Sequence, residues 1–222
     1  MTDIDILYTK VNERFPEWLQ HSEVALGELT IDVLPEHLRE ICFALRDEPD
    51  FDFKMLVDVC GVDYLHYGLS EWQTTSATAT GFERGVDRRA INNPHLTSPR
   101  FATVYHLLSL HQNHRIRIRV FLDEHQLKVP SVMDIWPSAN WFEREAFDLF
   151  GMTFVGHPDL RRILTDYGFK GHPFRKDFPL SGQVEVRYDA KAQRVVYEPV
   201  SIEPRILEPK VIRRDNRYQD GE

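Results

Sequence analysis

Two segments near the N-terminus repeat their hydrophobic residues with the period of an α-helix. The first spans residues 3–15 and stops at Pro16, and the second begins at Pro35, because proline is tolerated in the first turn of a helix. The apolar stripes of the two predicted helices consist of Ile4, Leu7, Tyr8, Val11 and Phe15 and of Leu38, Ile41, Cys42 and Leu45. These stripes are expected to pack into the core, which makes Cys42 a core residue.

Further along the chain the pattern predicts strands. The segments interpreted as strands are residues 24–34 (one strand or two), 53–64, 101–110, 115–120 and 129–133. In residues 115–120 arginine alternates strictly with aliphatic residues, so Arg115, Arg117 and Arg119 share one face of the sheet. Helices followed by strands predict an α+β fold, with the N-terminal helices packed on one face of a mixed or antiparallel sheet. Residues 70–99 lack this periodicity and are predicted to be a flexible insertion.

A third helix is predicted at residues 140–151. Asn140 and Glu143 have the spacing of a capping box, and Gly151 suits the left-handed position that ends a helix. The residues expected on the buried face are Phe142, Ala146, Leu149 and Phe150, and those expected to point outward are Glu143, Arg144, Glu145 and Asp148. Arg144 and Asp148 lie four positions apart, a spacing that favours an ion pair on the helix surface.

The C-terminal part is predicted to leave the body of the protein. Residues 184–188 and 194–198 read as a hairpin, and Glu-Pro pairs then recur at 198, 203 and 208, which favours a long extended arm. The predicted organisation is therefore an α+β domain at 1–139, a helix and interface segment at 140–183, and a hairpin with a proline-containing tail at 184–222.

Composition excludes several classes of protein. The chain has 222 residues and a net charge of −8, which disfavours a protein that coats nucleic acid. Its two cysteines form no CxxC pair, so the chain alone is expected to ligate neither a zinc ribbon nor an iron–sulfur cluster. Neither a targeting peptide nor a bilayer-spanning apolar run is recognisable, so any membrane association is expected to depend on partners.

The candidate chemistry is weaker than its residue types suggest. His106, His111 and His114 have no accompanying ligand at a suitable spacing, and Gly-His-Pro occurs twice, at His157 and His172, without a nucleophile motif. Structural turns explain these histidines better than catalysis does. The three arginines of residues 115–120 favour ion pairs with a protein partner over phosphate binding. Residues 140–180 are rich in the Arg, Trp, Tyr, Phe and His types found at interface hot spots, which favours a binding or assembly role.

Three stretches in this region resemble a known family. Residues 143–151 (EREAFDLFG), 156–164 (GHPDLRRIL) and 168–180 (GFKGHPFRKDFPL) closely resemble the C subunit of proton-pumping NADH:quinone oxidoreductase, respiratory complex I. The resemblance continues into residues 185–188 and 196–199, and residues 61–64 and 105–110 are consistent with it. The chain resembles the stand-alone form of this C subunit, not the form that is fused to the D subunit.

The resemblance implies a peripheral-arm subunit that supports assembly and the quinone-reducing module, in a complex that couples electron transfer from NADH to proton translocation. It implies no cofactor in this chain, with FMN, iron–sulfur clusters and quinone in or near other subunits. The implied partners are chiefly the D, B and I subunits, on the cytoplasmic side of a bacterial inner membrane. The residues assigned to the interface are Glu143, Arg144, Glu145, Asp148, His157, Arg161, Arg162, Asp166, Tyr167, Phe169, His172, Phe174, Arg175, Lys176, Asp177 and Phe178.

Two alternatives stay open at this point. The chain is also compatible with the equivalent subunit of a membrane-bound hydrogenase or of a ferredoxin-dependent quinone reductase. A stand-alone enzyme that uses His157 and His172 is the other reading, although no turnover is expected from the isolated chain.

Overall fold

The computed structural model describes residues 3–65, 67, 74–77, 84–86 and 99–202. The chain divides into two compact units, residues 1–178 and 179–222. The helices and strands are α1 (Asp3–Arg14), β1 (Leu19–Ala25), β2 (Glu28–Val33), a 3-10 turn (Pro35–His37), α2 (Leu38–Asp47), β3 (Met55–Asp63), β4 (Thr74–Ala77), β5 (Arg84–Val86), β6 (Phe101–Ser109), β7 (His114–Leu122), β8 (Lys128–Pro130), α3 (Ala139–Phe150), β9 (Thr153–Val155), β10 (Val184–Asp189) and β11 (Arg194–Pro199).

A five-stranded sheet in the order β1-β2-β7-β6-β3 forms the centre of the first unit. Its neighbouring strands are antiparallel except for β2 and β7, which run parallel. The predicted α+β class with a mixed sheet is therefore confirmed. The N-terminal strand segment resolves into two strands, of which β1 begins five residues earlier than the apolar pattern indicates.

The first two helices pack into the hydrophobic core as predicted. All four residues of the α2 stripe are completely buried, and Leu7, Val11 and Phe15 of the first stripe are at most 1% exposed. The other two residues of the first stripe are less buried, since Ile4 is half-buried against the core and Tyr8 is exposed. Pro35 forms a 3-10 turn and α2 begins three residues later, at Leu38.

The alternation in β7 places Ile116, Ile118 and Val120 in the core and the arginines on the other face. Two of those arginines find acids within this chain. The guanidinium of Arg119 donates to Asp32 on β2 at 2.6 Å, and that of Arg117 donates to Glu28. The expectation that a protein partner supplies their carboxylates is therefore wrong for Arg117 and Arg119, because the parallel neighbour β2 carries Asp32 in register with Arg119 and Glu28 within reach of Arg117.

The third helix follows β8, which pairs in parallel with the short strand β9, and the sequence pattern predicted only β8. The helix ends as predicted, since Gly151 adopts a left-handed backbone with a φ of 79°. In the second unit, β10 and β11 form the predicted antiparallel hairpin, with Arg187 bonded to Glu198 across the strands. The arm beyond residue 202 lies outside the described residues, and so does most of the 70–99 insertion, where β4 and β5 pair with each other.

Among the residues that the structure describes, no helix combines the length and the apolar character needed to cross a bilayer.

Candidate functional site

Asp148 on α3 holds the chain that follows the first Gly-His-Pro. Its side chain is completely buried, and one carboxylate oxygen accepts hydrogen bonds from the backbone N–H groups of Ile163, Leu164 and Thr165 at 2.7–3.0 Å. The other oxygen accepts from Arg162 Nη1 at 3.1 Å and from Thr165 Oγ1. Burial by itself would raise the pKa of Asp148, but these bonds lower it to about 2. The carboxylate is therefore a charged anchor for residues 162–165.

Both Gly-His-Pro histidines bond the backbone of the same helix. The Nδ1–H of His172 donates to the carbonyl oxygen of Asp148 at 2.8 Å, and the Nε2–H of His157 donates to that of Asn140 at 3.3 Å. The other nitrogen of His157 accepts from the N–H of Asp159, which closes the local turn. Burial lowers the pKa of each imidazole, so the neutral forms that make these bonds are favoured.

The predicted capping box of Asn140 and Glu143 is wrong, because Glu143 contacts a different part of the chain. Its carboxylate is buried and accepts from Ser131 Oγ at 2.6 Å and from the N–H of Val132 at 2.8 Å. Instead of forming a capping box with Asn140, it fastens the loop that precedes a helix beginning at Ala139. Burial raises the pKa of Glu143 to about 7, against the two hydrogen bonds that lower it.

Arg144 is also buried, so the predicted outward orientation is wrong for Glu143, Arg144 and Asp148, while Glu145 is exposed as predicted. The predicted Arg144–Asp148 pair does not form. Arg144 Nη2 instead lies 3.1 Å from Asp159, and its guanidinium stacks over the ring of Trp141. These side chains are buried because the loops before and after the helix supply their partners: backbone N–H groups for the two carboxylates and a carboxylate for Arg144.

A second anchor lies at the end of the segment and was not predicted. Asp63, at the end of β3, is buried and accepts two hydrogen bonds from Arg100 and one from the backbone N–H of Lys176 at 2.8 Å. Arg100 also lies 2.9 Å from Asp177. One signal in the sequence was available, because an aspartate at the end of an apolar strand needs a buried partner. Nothing in the sequence pattern indicated which arginine supplies it.

Arg175 completes the attachment. Its Nε donates to the carbonyl oxygen of Phe150 at 2.6 Å, and its guanidinium packs over the ring of Phe101. Burial lowers the pKa of Arg175. A Cβ atom added at Gly151 would lie 2.6 Å from Arg175 Nη2 and 2.6 Å from His172 Nε2, so glycine is required there for space as well as for backbone conformation.

The exposed side chains of residues 140–178 are called the signature surface below. Tyr167 is fully exposed, and Trp141, Leu164 and Phe174 are 57–60% exposed. The exposed charged residues of this surface are Glu145, Asp159, Arg161, Asp166, Lys170, Lys176 and Asp177. Of the remaining predicted interface residues, Phe169 and Phe178 are half-buried and pack against each other at 5.8 Å.

The histidines considered as metal ligands are not brought together as a set. His111 bonds Asp52 in an exposed loop at 2.6 Å, whereas His106 lies on the sheet face away from α1 and α2, near Asp58 and Cys60. The sequence pattern missed the latter group because its members come from two strands that are distant along the chain.

Comparison with known proteins gives consistent matches. The family model described as "Respiratory-chain NADH dehydrogenase, 30 Kd subunit" matches residues 31–184. The C subunit of NADH-quinone oxidoreductase from Coxiella burnetii (strain Dugway 5J108-111) is 56% identical over 224 residues, covering 100% of this chain and 98% of the relative. The protein of the same name from Legionella pneumophila (strain Corby) is 55% identical over 222 residues, with the same coverage.

Two solved structures are also similar. A chain of the membrane-bound sulfane sulfur reductase, an archaeal respiratory membrane complex, is 19% identical with a TM-score of 0.57, and the match covers 81% of this chain and 87% of that one. This is a likeness of fold alone. A chain described as Nqo5 of the trypsin-resistant fragment (1-134) is 29% identical with a TM-score of 0.49, covering 72% of this chain and 100% of that one.

Proposed function

Because the chain belongs to the family of the 30 kDa subunit of respiratory-chain NADH dehydrogenase, we propose that its own task in that enzyme is assembly through the signature surface. The chain is a peripheral subunit of complex I, the NADH-quinone oxidoreductase, and so part of an enzyme that passes electrons from NADH to quinone. In this proposal it positions neighbouring subunits and takes no part in the chemistry itself.

One observation carries the proposal: buried charged side chains fix the backbone of residues 140–178, while large apolar side chains of the same segment are exposed to solvent. Asp148, Asp63 and Arg175 hold the backbone of the segment in place from inside. Tyr167 is fully exposed and projects into solvent from this fixed backbone. A surface ordered before binding loses less conformational entropy on association, and exposed aromatic residues are typical binding anchors.

The structure changes which residues are proposed to touch a partner. We assign the contact to Trp141, Leu164, Tyr167 and Phe174 and to the exposed charges Glu145, Arg161, Asp166 and Lys176. The predicted interface residues that are buried or half-buried are proposed to shape the surface from below: Glu143, Arg144, Asp148, His157, Arg162, Phe169, His172, Arg175 and Phe178. Arg175 is consequently a poor choice for testing the interface by charge reversal. Asp177 is exposed but pairs with Arg100, so it is proposed to lie at the edge of the contact.

The electron carriers are proposed to reside elsewhere in the complex. Cys42 is completely buried in the core, where burial strongly raises the pKa of its thiol, whereas Cys60 is half-buried on β3, and this arrangement supports the proposal that the two thiols do not hold a cluster. FMN, iron–sulfur clusters and quinone then belong in or near other subunits. The backbone bonds of His157 and His172 support a structural role for both.

The partners are proposed to be chiefly the D, B and I subunits, and the location the cytoplasmic side of a bacterial inner membrane. Residues 1–139 are proposed to form the body, 140–183 the interface segment, and 184–222 an arm that extends along a neighbour.

Native purification of the tagged chain from its own cells, with mass spectrometry of the co-purifying proteins, tests the proposal. We expect the flavin-containing and NADH-binding subunits to co-purify, whereas a nickel–iron subunit in their place would support the hydrogenase alternative. Tyr167→Asp is expected to weaken incorporation by about 30-fold, the effect of a hot-spot residue worth about 2 kcal/mol.

Leu26→Asp is the matched control, because Leu26 is also fully exposed but lies in the turn between β1 and β2. We expect this variant to assemble normally. Equal losses in the two variants, or normal assembly of Tyr167→Asp, would overturn the assignment of the surface.

A further inference from the structure

The sheet face that α1 and α2 leave open brings three metal-ligating side chains together. Asp58 and Cys60 lie on β3, and His106 lies on β6, where it is the direct cross-strand partner of Asp58. Cys60 follows Asp58 by two residues and therefore points to the same face. One ligand atom from each residue lies within 4.8 Å of the other two, and His106 Nδ1 is 3.8 Å from Asp58 Oδ2.

We propose that Asp58, Cys60 and His106 form a binding site for Zn²⁺. A carboxylate, a thiolate and an imidazole are all ligands that zinc accepts, and three protein ligands with one open position are typical of accessible zinc sites. The mixed donor set also argues against Mg²⁺ and Ca²⁺, which prefer oxygen ligands alone.

The backbone holds this set in place before any ion arrives. The three residues belong to two hydrogen-bonded strands, and each side chain is half-buried, so few rotamers need to be fixed on binding. A cavity of about 200 Å³ adjoins the group and is lined by Asp58, His106, Val57 and Arg115, among others. It offers room for a water molecule as the fourth ligand.

Arg117 opposes the ion in a specific way. Its Nε–H donates to His106 Nε2 at 3.0 Å, which leaves the imidazole proton on Nδ1, facing Asp58. Coordination through Nδ1 requires the proton to move to Nε2, where it would meet the N–H of Arg117. Arg117 has two other acceptors, Thr30 Oγ1 and the carboxylate of Glu28, that hold it when it leaves the histidine.

The protonation states are consistent with this arrangement. Burial, followed by the charge of Arg117, lowers the pKa of His106, so the imidazole is neutral and able to bind a metal. Burial and the neighbouring Asp58 raise the pKa of the Cys60 thiol to about 11. Zinc binding therefore displaces the thiol proton into solvent, and the bound ion neutralises the charges of the thiolate and Asp58.

The test uses Co²⁺ as the spectroscopic probe and the purified full-length chain under reducing conditions. We expect Co²⁺ to produce a thiolate-to-cobalt charge-transfer band with the intensity of a tetrahedral site, and Zn²⁺ to abolish the band by competition. Cys60→Ala and His106→Ala are expected to lose the band. Circular dichroism establishes that each variant is folded.

Matched controls separate this site from binding by any thiol or histidine. Cys42→Ala removes the other thiol and His111→Ala removes a histidine paired with a different aspartate, and both are expected to keep the band. Arg117→Gln supplies an acceptor in place of a donor and is expected to raise the affinity for Co²⁺ by about 10-fold, the usual scale for a residue that orients a ligand.

Absence of the band in the wild-type chain would overturn the proposal, as would its persistence in folded Cys60→Ala. Weaker binding by Arg117→Gln would overturn the role assigned to Arg117. The experiment needs no other subunit, so its outcome is independent of the proposed interface.

Discussion

Helix α3 buries two carboxylates five residues apart, and their surroundings move their pKa values in opposite directions. Asp148, near the end of the helix, has a pKa of about 2, and Glu143, near its beginning, has one of about 7. Neither side chain is accessible to solvent, but Glu143 is surrounded by more protein than Asp148 is, so desolvation contributes to its higher pKa.

The hydrogen-bond donors around each carboxylate account for the rest of the difference. Asp148 accepts five hydrogen bonds, one of them from a guanidinium, whereas Glu143 accepts two, from a hydroxyl and a backbone N–H. Enough donors compensate the lost hydration of a charged carboxylate, and two neutral donors do not. Asp148, which stays charged near neutral pH, holds the segment that carries the signature surface. Glu143, whose pKa lies near neutrality, holds the loop that precedes the helix.

The largest effect is expected from removing the charge at the first anchor. Asp148→Asn leaves Arg162 without its carboxylate and places an amide against three N–H donors, so the free energy of unfolding should fall by about 3–5 kcal/mol. Urea denaturation measures the loss, and limited proteolysis should cut within residues 162–165. Asp166→Asn, an exposed aspartate of the same segment, is the control and should stay within about 0.5 kcal/mol of wild type.

The second prediction concerns Glu143 and pH. Its folded-state pKa, about 7, lies above the ordinary value of 4.5, so the unfolded chain loses this proton first as the pH rises. Glu143 therefore favours the folded state fully below pH 4.5, and this stability is lost as the pH rises toward 7, by up to about 3 kcal/mol. Glu143→Gln should flatten that part of the stability profile, measured by denaturation at a series of pH values.

The stability contributed by Asp148 depends on pH in the opposite direction, because it increases as the pH rises. Its pKa is lowered from 3.8 to about 2, so its stabilisation is present above pH 3.8 and is lost as the pH falls through 2.

The control for Glu143 is Glu145→Gln, which changes an exposed neighbour on the same helix and should keep the wild-type slope between pH 4.5 and 7. If Glu143→Gln keeps that slope as well, the titrating group is not Glu143.

The smallest effect is expected from comparing alanine substitutions at two glycines, Gly151 at the end of α3 and Gly156 shortly after it. Gly151 and Gly156 both have positive φ, at 79° and 90°, so alanine at either position should cost about 1–2 kcal/mol from the backbone alone. At Gly151 the added Cβ also collides with Arg175 and His172, whereas nothing lies within 4 Å at Gly156. Gly151→Ala should therefore cost about 1 kcal/mol more than Gly156→Ala in thermal unfolding. Equal costs would mean that Arg175 and His172 move aside freely.

Sequence patterns predicted the elements of the fold better than the contacts of the candidate site. The stripe of α2 and the alternation of β7 follow the periods of regular structure, so both were recognisable. The direction of polar residues on α3 was not, because helical spacing assumes that charges face water. Glu143, Arg144 and Asp148 face loops whose backbone donors and acids become their partners only after folding.

The short strand β9 and the Asp63–Arg100 anchor escaped prediction for a related reason. β9 has three residues, too few for a period to be visible, and it exists because β8 pairs with it. Asp63 and Arg100 are separated by 37 positions that include the insertion, so no local pattern joins them.

The parallel pairing of β2 with β7 at the centre of the sheet imposes an order in time on the growing chain. Asp32 and Arg119 are 87 residues apart. At a translation rate of about 5–20 residues per second, β2 waits roughly 4–17 s before its central neighbour leaves the ribosome. During that interval β3 and β6 are also made, but in the sheet they are joined to the β1–β2 hairpin only through β7, so the apolar stripes of α1 and α2 face an unfinished sheet. The nascent chain is thus most exposed to aggregation, or most in need of a chaperone, before β7 is made.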